Sequence, residues 1–312
     1  MSTRFSALAS VETVDGSPMP RLPMGRWIES GFDWVDEHLG TFFESVRDLL
    51  VTANDGLIAG LTWPDPLVTV VLFALLAWLV KDWKFALLSA AVLGFVVAVD
   101  QWDNTMATLS LVLVATVIAL VVAIPLGILA AKSQRVSAAV RPVMDLMQTM
   151  PAFVWLVPVV TLLSIGPAGG IVATVIFCLP PGVRLTELGI RQVDPEVVEA
   201  GHSFGSSPGQ ILRGIQVPLA LPTIMAGINQ VIMLALSMAV IAGLVGAGGL
   251  GSEVTSSISR LDIGLGFEAG LSVVALAIYL DRVTAAIGKR SPKRASRLPW
   301  RRSPTTSQEQ TA

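Results

Sequence analysis

The sequence predicts an all-α polytopic membrane protein, a bundle of about seven transmembrane helices. Of its 312 residues, 53% are hydrophobic and only 14% are charged, whereas a soluble domain carries about 25% charged residues. The apolar residues are gathered into segments close to the roughly 20 residues that cross a bilayer. The single cysteine, Cys178, permits no intrachain disulfide. These observations place most of the chain inside a membrane.

Seven apolar segments are candidate spans. In chain order they are Trp63–Trp83, Phe85–Trp102, Met106–Ala131, Leu146–Ile165, Gly169–Val183, Leu219–Val245 and Leu265–Arg282. The third is the strongest, because no charge falls between Asp103 and Lys132. The 38 uncharged residues between Asp145 and Arg184 are enough for two spans, with the glycine-rich residues 166–170 as the turn between them.

The first two candidate spans are short. Their uncharged cores, Leu67–Val80 and Phe85–Val99, hold 14 and 15 residues, so they need snorkelling lysines and interfacial tryptophans to reach across the bilayer. The residues available for these roles are Lys81, Lys84, Trp63, Trp83 and Trp102. A hairpin embedded in the membrane is the alternative for this region.

The distribution of basic residues predicts the orientation, because cytoplasmic loops carry an excess of lysine and arginine. One set of loops carries Lys81, Lys84, Lys132, Arg135, Arg141, Arg184, Arg191 and Arg213. The loops between them carry Asp100, Asp103, Glu253 and Asp262. The first 25 residues lack the apolar core of a cleavable signal peptide, so the first apolar segment must direct insertion. We therefore expect a multi-pass protein of the bacterial cell membrane, with its N-terminus outside and its C-terminus in the cytoplasm.

The chain divides into four regions by composition. They are an external N-terminal segment at residues 1–62, the first two membrane segments at 63–104, a core at 105–288 and a basic tail at 289–312. Between Lys289 and Arg302 the tail holds seven basic residues and no acid. We expect this tail to be disordered, cytoplasmic and attracted to anionic lipid headgroups.

The N-terminal region carries the pattern of an amphipathic helix. Its apolar residues recur at alternating steps of four and three, at Ile28, Phe32, Val35, Leu39, Phe42, Val46 and Leu49. Acidic residues occupy the other face. We favour a helix lying on the outer leaflet; the alternative is a scaffold that packs against the transmembrane core or contacts a receptor.

A polar segment at residues 194–218 interrupts the apolar sequence. Asp194–Glu196 supplies a helix cap, a first-turn proline and an acid that complements the helix dipole. Gly205 ends this helix, and Ser207 with Gln210, at capping-box spacing, starts another. That second helix is predicted to end at Pro218. Two short capped helices joined by glycine predict a rigid protrusion on the cytoplasmic surface.

The spacing within the polar segment resembles the EAA loop of ABC-importer permeases, which docks into a groove on the ATPase subunit. The motif comprises Glu199-Ala200-Gly201, three residues, Gly205, nine residues and Ile-x-x-Pro ending at Pro218. Gly201 stands where a second alanine is usual, and Val217 where leucine is usual. The residues that the resemblance assigns to ATPase coupling are Glu199, Ala200, Gly201, Ser203, Gly205 and Pro218.

Three further runs, at residues 147–155, 218–230 and 237–242, resemble the glycine betaine/proline betaine branch of these permeases. The likeness covers residues 100–288. It implies the ABC type I importer permease fold, with residues 105–288 as the permease core and a coupling helix near 195–205. It also implies an osmoprotectant importer for quaternary ammonium solutes such as glycine betaine, proline betaine, choline or carnitine.

The implied partners are a separate ATP-binding cassette ATPase, which holds ATP and Mg, an external solute-binding protein, a second permease copy and membrane lipid, but no nucleic acid. Two alternatives remain open. The first is an ABC permease for another small solute, such as an amino acid. The second is a secondary transporter without an ATPase, which would be expected to show intramembrane ion-coupling charges or inverted repeats.

Six residues are candidates for the translocation path or a gate: Phe153, Trp155, Asn229, Gln230, Gly248 and Gly249. The two aromatic rings suit cation–π contact with a quaternary ammonium group, or ordinary packing. The two amides suit hydrogen bonding between helices, or lining of the path. The two glycines belong to the cluster Gly246–Gly251, which suits an external gate or simply a turn.

No catalytic constellation is present in the sequence. His38 and His202 fall in different predicted compartments, and no metal-ligand spacing or phosphate-binding loop occurs. The cluster Gly246–Gly251 fits the dinucleotide-binding pattern but follows a membrane span rather than a strand, which excludes that site. We therefore expect a translocating subunit that is not an enzyme and binds no cofactor itself.

Overall fold

The computed structural model describes residues 24–289, and these residues form helices with short connections and no strand. The helices are α1 (Met24–Thr62), α2 (Pro66–Val80), α3 (Trp83–Ala98), α4 (Trp102–Lys132), α5 (Gln134–Thr149), α6 (Leu156–Leu163), α7 (Pro167–Arg191), α8 (Pro195–Ser203), α9 (Pro208–Ile211), α10 (Val217–Ala242), α11 (Gly249–Arg260) and α12 (Ile263–Lys289). Short 3-10 turns cover Ala152–Trp155 and Gly243–Val245, and a π-helical turn covers Leu212–Gln216. The predicted basic tail, from residue 290 onward, lies outside the described residues.

Helices α4, α7 and α10 form the centre of the bundle. Small residues let them approach closely, as is usual between membrane helices. A Cβ atom on Gly127 of α4 would lie 2.6 Å from the Cβ atom of Thr186 in α7, and a Cβ atom on Gly182 would lie 2.9 Å from that of Ala123. Val231 of α10 is fully buried beside them. These contacts fix the relative positions of α4 and of the two helices, α7 and α10, that flank the polar segment at residues 194–218.

Within residues 24–289, four helices are long and apolar enough to cross a membrane: α4, α7, the continuous run Pro208–Val245, and α12. Two bent pairs, α1 with α2 and α5 with α6, bring the number to 6 if each is counted as one span. The short apolar helix α3 is the remaining apolar segment of the part of the chain that is described. The prediction of an all-α polytopic bundle is confirmed, and its count of about seven spans is consistent with this arrangement.

The fourth predicted span, Leu146–Ile165, is not one continuous helix. It is divided between the end of α5 and the eight-residue helix α6, and the axes of these two helices differ by 108°. The break falls at Met150, which is extended (φ −72°, ψ 137°) because the ring of Pro151 disfavours helical geometry in the residue before it. Helix α6 is only about 12 Å long, too short to cross a bilayer alone.

Helices α2 and α3 are also short, as their uncharged cores predict. With 15 and 16 residues, they measure about 22–24 Å, against a bilayer core of about 30 Å. They pack against each other across the turn at residues 81–82, and the Asp82 carboxylate caps α3 by accepting from the Phe85 amide at 2.9 Å. Tyr279 of α12 donates its hydroxyl to the Phe73 carbonyl at 3.2 Å. This bond anchors the pair to the bundle.

Helix α1 is a single amphipathic helix whose second half packs against the bundle. Val46 and Leu50 contact the core, and Asn54 is 2% exposed. Ser110 of α4 donates its hydroxyl to the Asn54 carbonyl oxygen at 2.9 Å. The predicted stripe is partly displaced, because its members Ile28, Leu39, Phe42 and Leu49 stay exposed. For residues 43–54 the alternative prediction, a scaffold packed on the transmembrane core, describes the contacts better than a helix lying only on lipid.

Candidate functional site

The polar segment (residues 194–218) folds locally as its caps predict. The Asp194 carboxylate accepts from the Glu196 amide at 2.9 Å and starts α8. The helix ends before Gly205, whose φ of +78° favours glycine, and the Ser206 amide donates back to the Gly201 carbonyl at 3.1 Å. Helix α9 then begins with a complete capping box between Ser207 and Gln210. Both predicted helix starts are confirmed.

The prediction that Pro218 ends the second helix is wrong. Pro218 lies in the first turn of α10, and helical geometry continues from Pro208 through Val245. Proline is tolerated within a membrane helix where a local π-helical adjustment rearranges the backbone hydrogen bonds. The π-helical turn Leu212–Gln216, immediately before it, joins α9 to α10. The polar segment is therefore continuous with a long central helix.

The polar segment has a packed face and an exposed face. Gly201 is buried, and a Cβ atom there would lie 2.8 Å from the Cδ1 atom of Ile215. Since that atom is the flexible end of a side chain, this position accepts the usual alanine with a small shift. Glu199, Ala200 and Ser203 are exposed on the opposite side. The structure thus presents three of the predicted coupling residues on one open surface.

Phe204, which the sequence analysis did not single out, is the most exposed large apolar residue of this surface. Its side chain is 90% exposed, and Val197 in the first turn of α8 is 41% exposed. Isolated exposed apolar residues are ordinary, but an aromatic ring at the tip of a doubly capped helix is a preferred contact for a partner protein. An aromatic residue directly before the helix-ending glycine was the signal that could have identified it.

Phe153 and Trp155, two of the candidate residues for the translocation path, lie where the helix is interrupted between α5 and α6. They lie in the 3-10 turn between α5 and α6, where Phe153 is 60% exposed and Trp155 is half-buried. The indole N–H of Trp155 is buried without a hydrogen-bond partner among the described residues. Such an unpaired donor is unusual.

The amides on α10 occupy different environments. Asn229 donates to the Asp281 carboxylate at 3.1 Å and accepts from the Thr284 hydroxyl, so it links α10 to α12 as predicted. Gln230 is exposed on the next face of α10. The cavity beside Asn229 is lined by Pro222, Met225, Ala226, Thr284, Ala285 and Gly288.

The glycine cluster forms a tightly packed turn between α10 and α11, at the end of α10 opposite the polar segment. Gly246, Gly248 and Gly249 have φ values of +72°, +85° and +65°. The Leu250 amide donates to the Thr108 hydroxyl of α4 at 2.8 Å. This bond fixes the turn to the bundle. Among residues 24–289 no group of three or more His, Cys, Asp or Glu residues is placed to hold a metal ion.

Comparison with known proteins gives a consistent family. A sequence model for the family described as "Binding-protein-dependent transport system inner membrane component" matches residues 123–292. The chain is 45% identical over 279 residues to the glycine betaine/proline betaine transport system permease protein ProW of Escherichia coli, covering 88% of this chain and 78% of that protein. It is 43% identical over 280 residues to the glycine betaine transport system permease protein OpuAB of Bacillus subtilis, covering 89% and 99%.

The fold matches a solved transporter. An inward-facing crystal structure of the MetNI methionine ABC transporter aligns with a TM-score of 0.57 at 20% sequence identity, covering 62% of this chain and 96% of that one. A likeness at this identity concerns the fold. It confirms the predicted type of permease fold over the 62% of this chain that aligns.

Proposed function

The chain belongs to the family of binding-protein-dependent transport system inner membrane components, and from this premise we propose that it carries quaternary ammonium compatible solutes across the membrane. It is a permease subunit of an ABC transporter and works with an ATPase and a substrate-binding protein. The proposed solute class rests on the names of relatives at 43% to 45% identity, which are permeases for glycine betaine and proline betaine. Family membership disfavours the alternative of a secondary transporter without an ATPase.

The observation that carries the mechanism is the rigid, exposed surface of α8. Glu199, Ser203 and Phe204 face outward from a helix capped at both ends. The opposite face of α8 packs on Ile211 of α9 and Ile215 of the π-helical turn that leads into α10, and only three residues separate α8 from α7. A partner that moves α8 therefore moves two central helices. We assign this surface to the ATPase, whose closure on ATP would switch the bundle between inward- and outward-facing states, with ATP and Mg held by that subunit.

A second copy of this chain is the proposed neighbour of α10. Its exposed face carries Ala226, Gln230 and Ser237, which recur at helical spacing. An amide such as that of Gln230 is costly in contact with lipid. Protein or water on this face removes the cost. In a homodimer whose translocation path runs between the two copies, this face of α10 would contact both the second protein chain and the water in the path.

Phe153 and Trp155 are proposed contacts for the solute. Both lie at the break between α5 and α6, where regular helix is absent. Aromatic faces attract quaternary ammonium groups, and the unpaired indole N–H of Trp155 suits the carboxylate of a betaine. Gly249 is proposed to hold the outer end of α10 rather than to gate it, because a Cβ atom there would overlap the Thr108 hydroxyl of α4. Gly248 keeps its proposed role in a gate, because nothing lies within 4 Å of a Cβ atom placed on it.

Reconstitution tests the proposed function directly. The permease, its ATPase and its solute-binding protein are placed in liposomes with ATP on the ATPase side, and uptake of radiolabelled glycine betaine, carnitine and methionine is measured. We expect betaine uptake that requires ATP hydrolysis. Uptake of methionine but not of betaine or carnitine would overturn the solute class, and uptake driven by an ion gradient without ATP would overturn the coupling to an ATPase.

The orientation also follows from the proposal, because α8 must face the compartment that holds ATP. We expect a periplasmic or external N-terminus and a cytoplasmic C-terminus. Reporter proteins fused after residue 60 and after Ala312 should report opposite sides of the membrane. The same side for both would show that the short helices α2 and α3 do not together contribute two crossings.

A further inference from the structure

A carboxylate is buried near the end of α7 that leads into the polar segment. Glu187 is 8% exposed. Its Oε1 atom accepts from the Ser137 hydroxyl at 2.8 Å and lies 3.0 Å from Nε of Arg191 and 3.4 Å from a terminal guanidinium nitrogen of Arg141. Burial of a charge is costly unless it is paired and hydrogen-bonded. These three donors meet that requirement and join α7 to α5.

Arg191 extends the connection to a third helix. One terminal nitrogen donates to the Gln134 side-chain oxygen at 3.0 Å, and the other donates to the Ala130 carbonyl at 2.9 Å. Ala130 lies in the last turn of α4, and Gln134 is the first residue of α5. Glu187 and Arg191 therefore fix the end of α7 to the joint between α4 and α5.

The network around Glu187 and Arg191 lies between the proposed ATPase-contacting helix α8 and the proposed solute-contacting turn between α5 and α6. Arg191 is the last residue of α7, and α8 starts at Pro195. Helix α5, on the other side of the network, leads directly to the break at Met150 and to the aromatic residues Phe153 and Trp155. No other described ion pair that links α5 and α7 is buried, since the Arg184–Asp145 pair has side chains 44% and 62% exposed.

We propose that Glu187 is a positioning residue that makes α5 move together with α7 when the ATPase displaces α8, so that the motion reaches the broken segment 150–155. This inference rests on the proposed function. Charge-assisted hydrogen bonds are short and directional, so they hold two helices in one relative position. Without the Glu187 carboxylate, the donors of Ser137 and Arg191 lose their shared acceptor, only the Arg191–Gln134 bond and the exposed Arg184–Asp145 pair remain as polar links between the two helices, and α5 follows α7 less closely.

The test measures solute transported per ATP hydrolysed by the complete transporter in liposomes. Glu187→Ala should lower this ratio about tenfold, the factor expected for one charge-assisted hydrogen bond, while ATP hydrolysis per assembled complex stays within about twofold. Glu187→Gln keeps an acceptor oxygen but loses the charge, so its ratio should fall less, by about threefold. Asp145→Asn is the matched control on the same two helices, and its ratio should match wild type because exposed pairs contribute little.

A purely structural role predicts different results. It would lower uptake and hydrolysis together, in proportion to the amount of assembled complex, and that outcome overturns the inference. If Glu187→Ala does not assemble, Glu187→Gln decides: a wild-type ratio of solute to ATP overturns the inference, and a reduced ratio supports it.

A Ser203→Cys crosslink to the ATPase distinguishes failure of the role of Glu187 from failure of the proposed function. If the crosslink forms and the ratio stays wild-type, only the role of Glu187 fails; if it never forms, the proposed function fails.

Discussion

Replacing Phe204 with alanine is expected to release most of the ATPase while the permease stays in the membrane at normal abundance. The ring is 90% exposed at the tip of the polar segment, so its removal costs the folded chain little. Aromatic anchors at the centre of an interface are worth about 2 kcal/mol or more, which corresponds to roughly 30-fold weaker binding. Solute uptake should fall with the loss of the ATPase.

The measurement is the ratio of ATPase to permease after purification through a tag on the permease. Phe267→Ala is the matched control, because it removes another exposed ring, 67% accessible, near the start of α12 at the other end of the bundle. That variant should keep the wild-type ratio. Equal retention of the ATPase by both variants would contradict the assignment of Phe204 to the interface.

Gly243→Ala is expected to prevent accumulation of folded protein. A Cβ atom on Gly243 would overlap the backbone carbonyl of Gly251 at the crossing of α10 and α11. Backbone atoms cannot turn aside as the end of a side chain does, so the two helices would have to separate. The expected loss is at least about 3 kcal/mol, the upper part of the range for overpacking. Against a total stability of roughly 5–15 kcal/mol, this is a large loss.

Gly270→Ala in α12 is the control for this substitution, because no heavy atom lies within 4 Å of a Cβ atom placed there. Alanine is the better helix former by about 1 kcal/mol, so this variant should be as stable as wild type or more stable. Thermal unfolding in detergent and the amount of protein in the membrane report the difference. A wild-type midpoint for Gly243→Ala would show that the crossing is looser than the structure indicates.

The polar segment was predictable from sequence because its structure depends on neighbouring residues. Asp194, Ser207 and Gln210 each bond to a backbone amide two or three residues away. Gly205 takes its left-handed conformation from the same local chain reversal. Phe204 could not be weighted in the same way, because its exposure depends on how α8 packs against the rest of the bundle.

Features that depend on distant residues were predicted less well. Composition predicts that residues 146–165 form one apolar span of sufficient length. In the structure, Pro151 and the packing of α6 on α7 divide this span into two helices. The apolar stripe of α1 is predicted from the spacing of its residues alone. Which face of its second half is buried depends instead on contacts with other helices, such as that of Asn54 with Ser110. Glu187 has partners 46 and 50 residues away in sequence. No local pattern identifies such a network.

The central claim is that energy enters this permease through α8. A cysteine at Ser203, with Cys178 replaced, tests it by crosslinking to the ATPase, and Ser259→Cys is the control, because Ser259 is exposed on α11 at the opposite end of α10. A bilayer core of about 30 Å separates the two positions. We predict a crosslink at Ser203 whose yield changes with the bound nucleotide, since a ligand shifts a conformation only through differential binding, and none at Ser259. Absence of the Ser203 crosslink in every nucleotide state, with the ATPase shown to be present, would contradict the account.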